Sequence, residues 1–316
     1  MTELNFAKMF EGNTPLIKQL PLLVIDHSTG KNIVWATDTY SSYGSYYKAN
    51  RQMFPDFNIN LIQDGILLPR VQKTKEQQQS RTKNKAEVFT PSWICNKMNN
   101  HCDEDWFKTK DIFNTEVEKE DGTHTWIVTA YSIPFKNRTA WQKYVNSKRI
   151  EITCGEAPYI VSRYDTTSGE IIPVKERIGI LDRKLRVVNE NTNTESNWFK
   201  WVQQAYKSVY GFEYQGDNLF FARVNLVQTF IDYYEDRFGK EPTNLQIKKI
   251  AEIVSWNFWQ MDGLKDIVPF GIPVDTICYG TIYDKESEPV FAKIKDWDAD
   301  TVIEYRTLKG EQTDEI

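Results

Sequence analysis

The chain has 316 residues, with 39 Lys and Arg against 44 Asp and Glu, 40% hydrophobic residues and a net charge of −5. That length can bury one large core or two modest ones, and the composition is ordinary for a globular protein. It excludes a histone-like, globally basic nucleic-acid binder but leaves local basic patches open.

No apolar run approaches the roughly 18 residues needed to span a bilayer. The N-terminal MTELNFAKMFEGNTP has no basic segment followed by an apolar stretch, so no secretory signal is expected. Four scattered cysteines (Cys95, Cys102, Cys154, Cys278) do not form a disulfide framework, which points to a reducing, cytoplasmic compartment. Three histidines (His27, His101, His124) supply a catalytic triad or a metal site poorly. Cys95, His101 and Cys102 lack zinc-finger spacing, so no metal is expected. There is no GxxxxGK[ST] phosphate loop.

In chain order, residues 1–84 read as a separate, mostly β region. PLLVIDHSTGKNIVWATDTY at 21–40 suggests a hairpin around its DHSTGKN turn, and NLIQDGILLP at 60–69 a second one. Residues 70–85, RVQKTKEQQQSRTKNK, set Arg70, Lys73, Lys75, Arg81, Lys83 and Lys85 against a single Glu76. Such a run is either a solvated charged loop or a phosphate-contacting segment for DNA. The aromatic content of 14% is mostly core material, and part of it could stack on an extruded base.

From residue 85 to 316 the pattern is that of an α/β domain. Thr90 is the expected N-cap of a helix with Pro91 at its first position. TWIVTAYSI at 125–133 reads as a strand, TAWQKYV at 139–145 as a short helix and RIEIT at 149–153 as a buried strand. After Asp217, the residues Leu219, Phe220, Val224, Val227, Phe230, Ile231 and Tyr234 recur at helical spacing up to the stop at Gly239. A second helix runs from about Thr243 to Val254 with Leu245, Ile250, Ile253 and Val254 as its apolar positions. Strand, helix, strand, helix, strand is the order of a doubly wound α/β sheet.

Ligands of such sheets lie at the carboxyl ends of the strands. RIEITCGEAPY at 149–159 puts Glu151 at a strand end, before a Thr153-Cys154-Gly155 turn where glycine permits close backbone approach. YGFEYQGDN at 210–218 puts Glu213 at the next strand end, either as an exposed charge or as the acid that reads ribose hydroxyls in such sheets. WNFWQMDGL at 256–264 puts Asp262 after a third strand, as a ligand group or as a turn-former before Gly263. Glu151 and Glu213 lie 62 positions apart, against about 20 for a simple βαβ unit, so residues 162–194 read as an insertion packed near the site.

These segments, in this order, resemble the cofactor half of the adenine-N6 DNA methyltransferases, the modification subunits of restriction systems. KAEVFTPSW at 85–93 looks like their N-terminal cofactor segment, with Phe89, Thr90 and Pro91 turned toward the methionine end of S-adenosylmethionine. IEITCGEAPY looks like their Asp/Glu-Pro-x-Cys-Gly-x-Gly-x-Phe motif. Glu151, Cys154 and Gly155 match it, whereas Ile152, Ala157 and Tyr159 replace the proline, the second glycine and the phenylalanine. Through the resemblance Glu151 accepts from the cofactor ammonium, Glu213 reads the ribose and Asp262 the adenine amino group. The chain is also similar over nearly its full length to short bacterial proteins labelled restriction endonuclease subunit M. The implied fold is a Rossmann-like S-adenosylmethionine-dependent methyltransferase sheet, and the implied partner is DNA.

The chain departs from that family in one respect that bears on turnover. It has no Asn/Asp-Pro-Pro-Tyr/Phe tetrapeptide to grip the target amine, and 54 residues follow Asp262. IVPFG at 267–271 lacks the Asn or Asp, and EAPY at 156–159 lies inside the cofactor turn. Without such acceptors the amine lone pair stays delocalised. The expectation is therefore a DNA adenine methyltransferase-like protein whose catalytic residues are unassigned, either complete by an unrecognised arrangement or completed by a second subunit. The other expectation is a non-catalytic cofactor- or DNA-binding homologue.

Overall fold

The computed structural model describes residues 6–11, 14–85, 90–271 and 289–309. The described residues begin with a 3-10 turn (Ala7–Phe10), followed by α1 (Leu20–Val24), β1 (Ile25–Asp26) and β2 (Lys31–Asn32). Further 3-10 turns at Asp38–Tyr43 and Ser45–Tyr47 lead to α2 (Pro55–Gln63) and α3 (Lys75–Lys85).

Among its described residues, the expected mostly β region at 1–84 is therefore mainly helical, with one two-residue hairpin. NLIQDGILLP is not a hairpin but the end of α2. Gly65 has φ 67°, its N–H bonds Ile62 O at 3.0 Å, and Ile66 N–H bonds Leu61 O at 2.8 Å. That is the Schellman closure of a helix. Asp-Gly signals both a tight hairpin and a helix end, because each needs a residue at positive φ.

Nor is this region separate. Phe6 meets Phe221 edge-on with centroids 4.9 Å apart, and Gly216 N–H bonds Trp35 O at 3.2 Å. A Cβ on Gly216 would lie 2.0 Å from Val34 O, so the backbones touch there because no side chain intervenes.

Next come α4 (Ser92–Phe107) and the antiparallel pair β3 (Asn114–Glu118) and β4 (His124–Val128). They are followed by α5 (Ala140–Asn146) and β5 (Arg149–Glu151). α6 (Ile180–Asn191) and α7 (Glu195–Lys207) cross to β6 (Val209–Glu213). Leu181, Leu185 and Val188 of α6 are fully buried, so the supposed insertion at 162–194 contains a core helix of the crossover.

α8 (Gly216–Phe238) and α9 (Asn244–Asn257) precede β7 (Phe258–Gln260), and β8 (Lys293–Asp296) with β9 (Thr301–Glu304) forms a last hairpin. All seven expected apolar positions of α8 are buried, and so are Phe221, Ala222, Leu226 and Tyr233 around it. A helix apolar on most sides belongs in the middle of a core. In α9, Thr243 and Gln246 form a capping box, while Leu245, expected inside, is exposed. Arg223 lies fully buried and donates to Leu23 O, Ile25 O, Ser255 O and Phe258 O. It thereby satisfies carbonyls that the ends of α1 and α9 leave open.

The protein is mixed α/β, with a parallel three-stranded sheet in the order β5-β6-β7. One face meets the helices. The other meets β8 and β9, where Phe212 and Trp259 pack on Ile294. That cover stops short of β5. Ile150 and Ile152 are 46% and 65% exposed, so β5 is an edge strand rather than the buried one expected. Ile150 lines a groove of about 220 Å³ with Tyr210, Trp259, Ile303, Tyr305 and Leu308. No helix of the described residues is long and apolar enough to cross a membrane.

Candidate functional site

The parallel order carries the acids of three distant segments to one edge of the sheet. Glu151 and Glu213 end β5 and β6, and Asp262 follows β7 by two residues. Cys154 N–H bonds Phe212 O at 2.8 Å and Met261 N–H bonds Glu213 O at 3.1 Å, so the turns after all three strands are tied together.

The turn after β5 is backbone-strained. Thr153, Gly155 and Ala157 have φ of 51°, 55° and 64°. Positive φ is free for glycine but costs a β-branched threonine on the order of 1–3 kcal/mol. Strain of this kind persists where surrounding structure enforces it, and it clusters at binding sites. Glu151 Oε2 is closed off from solvent and has no hydrogen-bond partner. Burial, and then the nearby Glu213 carboxylate, push the Glu151 carboxyl well above the usual carboxylate range, against the pull of the Tyr159 and Ile160 amides. Burial, then Glu151, also push the Cys154 thiol far up, and the Cys95 thiol in the same way. Neither is a thiolate nucleophile at neutral pH.

Glu213 is more committed than the sequence implies. Its Oε2 accepts Gly155 N–H at 2.9 Å, and Oε1 accepts Tyr214 N–H and Gln215 N–H, each at 3.0 Å. One lone pair on Oε2 remains for a ligand hydroxyl. Burial raises its pKa, partly offset by those amides. Asp262 takes the turn-forming alternative: Oδ1 accepts Leu264 N–H at 3.0 Å and Lys265 N–H at 3.3 Å.

The start of α4 reaches the same place. Thr90 hydrogen-bonds the Tyr159 side chain, and Thr90 O accepts from Thr166 Oγ1 at 2.9 Å. The N-cap is Pro91 rather than Thr90, with no side-chain cap of its own. Asp165 supplies that bond instead, accepting Ser92 N–H at 2.8 Å. Phe89 lies outside the described residues. Asp165 went unnoticed in the sequence, although its DTTSG context is an Asx-turn signal: Oδ1 takes the Thr167 and Ser168 amides.

The basic stretch also lies at this edge. Arg70 N–H bonds Glu156 Oε1 at 2.7 Å, and Tyr164 Oη bonds Glu156 Oε2 at 2.8 Å. Glu156 is 2% exposed and, though inside the cofactor motif, had no role read from sequence. Lys73 and Arg81 turn inward, not toward solvent. They lie 3.7 and 2.9 Å from Asp217 Oδ2, with side chains only 5% exposed. Arg81 Nη2 also donates to Gln215 Oε1 and Asn218 Oδ1. Lys75 and Lys83 are exposed and Arg70 is half-buried; the Lys85 side chain lies outside the described residues.

Thus Thr90, Pro91, Glu151, Cys154, Gly155, Tyr159, Glu213 and Asp262 gather at the carboxyl edge, with α3 beside them. The arrangement offers a buried acceptor for a cation, a bent backbone for close approach and one acceptor for a hydroxyl. Comparison with protein-family models, curated proteins and solved structures finds no match.

Proposed function

We propose that this edge binds S-adenosylmethionine and that the protein is an adenine-N6 DNA methyltransferase-like component of a restriction-modification system. In this reading the sheet is the cofactor-binding part of a Rossmann-like methyltransferase fold, working in the cytoplasm. The observation that carries the reading is the unpartnered Glu151 Oε2 at the end of β5, beside the strained 153–157 turn. A cationic methionine group would give that oxygen its missing partner, and Gly155 lets a ligand approach the backbone. Glu213 would offer its remaining lone pair to a ribose hydroxyl. Asp262 would meet the adenine amino group with Oδ2, since Oδ1 is engaged in its turn. The bound cofactor supplies an electrophilic methyl group.

A second reading keeps the cofactor or the DNA and omits the chemistry. It is favoured by the lack of an Asn/Asp-Pro-Pro-Tyr/Phe tetrapeptide anywhere in the sequence. Under the first reading a second subunit supplies those acceptors and the target recognition. Calorimetric titration with S-adenosylmethionine and S-adenosylhomocysteine tests the common element. Saturable 1:1 binding is expected, and no heat at ligand concentrations up to about 1 mM, a weak affinity of only about 4 kcal/mol, would refute it.

A further inference from the structure

Beside this edge lies a surface that the cofactor reading does not use. Tyr43 and Tyr46 are 51% and 46% exposed and sit on adjoining 3-10 turns. Tyr46 is backed by Phe57 at 5.4 Å between centroids, and Phe57 by Phe54 at 5.9 Å. Tyr46 is thus held on an aromatic base, while both tyrosines remain about half exposed.

The same carboxylate oxygen fixes what lies next to them. Asp217 Oδ2 accepts Tyr40 Oη at 2.9 Å and pairs with Arg81 of α3 at 2.9 Å. Tyr43 lies one 3-10 turn beyond Tyr40, so the turn that carries it and α3 meet at Asp217. Residues 70–85 hold six cations against one acid on a chain of net charge −5. With Lys73 and Arg81 turned to Asp217, Lys75 and Lys83 face solvent about two helical turns apart.

We propose that Tyr43 and Tyr46 stack on unpaired bases while Lys75 and Lys83 hold the adjoining phosphates, making this face a binding surface for single-stranded nucleic acid. Exposed aromatic faces beside a cationic track are what a single strand requires, because its bases present free π-faces. A duplex hides those faces within its own stack and would use the cations alone. The proposal deepens the nucleic-acid part of the function above and rests on it only for DNA over RNA.

Fluorescence anisotropy with labelled 12-mers of dT, rU and a 12-base-pair duplex tests it over a series of salt concentrations. The wild-type protein is expected to hold dT 12-mer more tightly than duplex. Tyr43→Ala and Tyr46→Ala should each weaken the single strand by at least about fivefold and leave the salt slope unchanged. Tyr43→Phe and Tyr46→Phe should bind as wild type, because the stacking face is kept. Lys75→Gln with Lys83→Gln should lower the slope of log affinity against log salt by about 1.4. Tighter binding of rU would keep the surface and move the partner to RNA. No single-strand binding at low salt, or binding indifferent to both alanine variants, overturns the proposal. Cofactor titration is read separately, so either result can fail alone.

Discussion

Glu213 Oε2 accepts the Gly155 amide at 2.9 Å across 58 residues of sequence. One carboxylate thereby joins the turn after β5 to the turn after β6, the two turns that frame the candidate site. Glu213→Ala would leave the amides of Gly155, Tyr214 and Gln215 without this acceptor. A buried group stripped of its partner costs about 1–3 kcal/mol. The variant is expected to lose at least about 2 kcal/mol of stability as well as cofactor affinity. Urea unfolding checks this, and an unchanged midpoint would return Glu213 to the status of a free ligand group.

Glu151 gives the more specific cofactor test. Its folded-state pKa is raised by burial and by Glu213, so it costs stability as pH rises through the unfolded value. Glu151→Gln should therefore fold at least as well as wild type at pH 8. A cation docking on Glu151 favours the carboxylate, so binding releases a proton and affinity rises with pH. Titration in two buffers of different ionisation enthalpy reads that release. It should vanish in Glu151→Gln, and equal release from both proteins would remove Glu151 from the site.

Asp217 predicts a share of the acid sensitivity. Burial alone would raise its pKa, but Arg81 and Lys73 more than offset that and hold it at about 2. Against an unfolded value of about 3.9, this contributes about 2 kcal/mol above pH 4, lost as pH falls from about 4 to 2. Asp217→Asn should be less stable at pH 7 and lose less than wild type between pH 4 and 2.5. Parallel stability curves for the two proteins would contradict the ion-pair account.

The isolated chain is expected to methylate DNA very poorly. Loss of one preorganised acceptor at a reacting centre costs roughly 100- to 1000-fold in rate, and the tetrapeptide is missing altogether. Incubation with labelled S-adenosylmethionine and mixed-sequence DNA, without a partner, reads this directly. Stoichiometric adenine methylation within minutes would reveal a catalytic segment elsewhere in the chain.

What the sequence determined by itself was mostly local. The helical spacing from Leu219 to Tyr234 and its Gly239 stop rest on neighbours a few residues apart; α8 formed as read, and α9 did apart from the exposed Leu245. The strand-end places of Glu151 and Glu213 were legible for the same reason. Tertiary contacts decided the rest. Asp-Gly at 64–65 carries a positive-φ signal that a hairpin and a helix end share, and only the packing of α2 selected the helix. Whether Lys73 and Arg81 face phosphate or protein depended on Asp217, well over a hundred residues away. Glu213 became a clasp because Gly155 arrived beside it. A charge or a carboxylate states in sequence what it can bond to; which partner reaches it is set by the chain that folds around it.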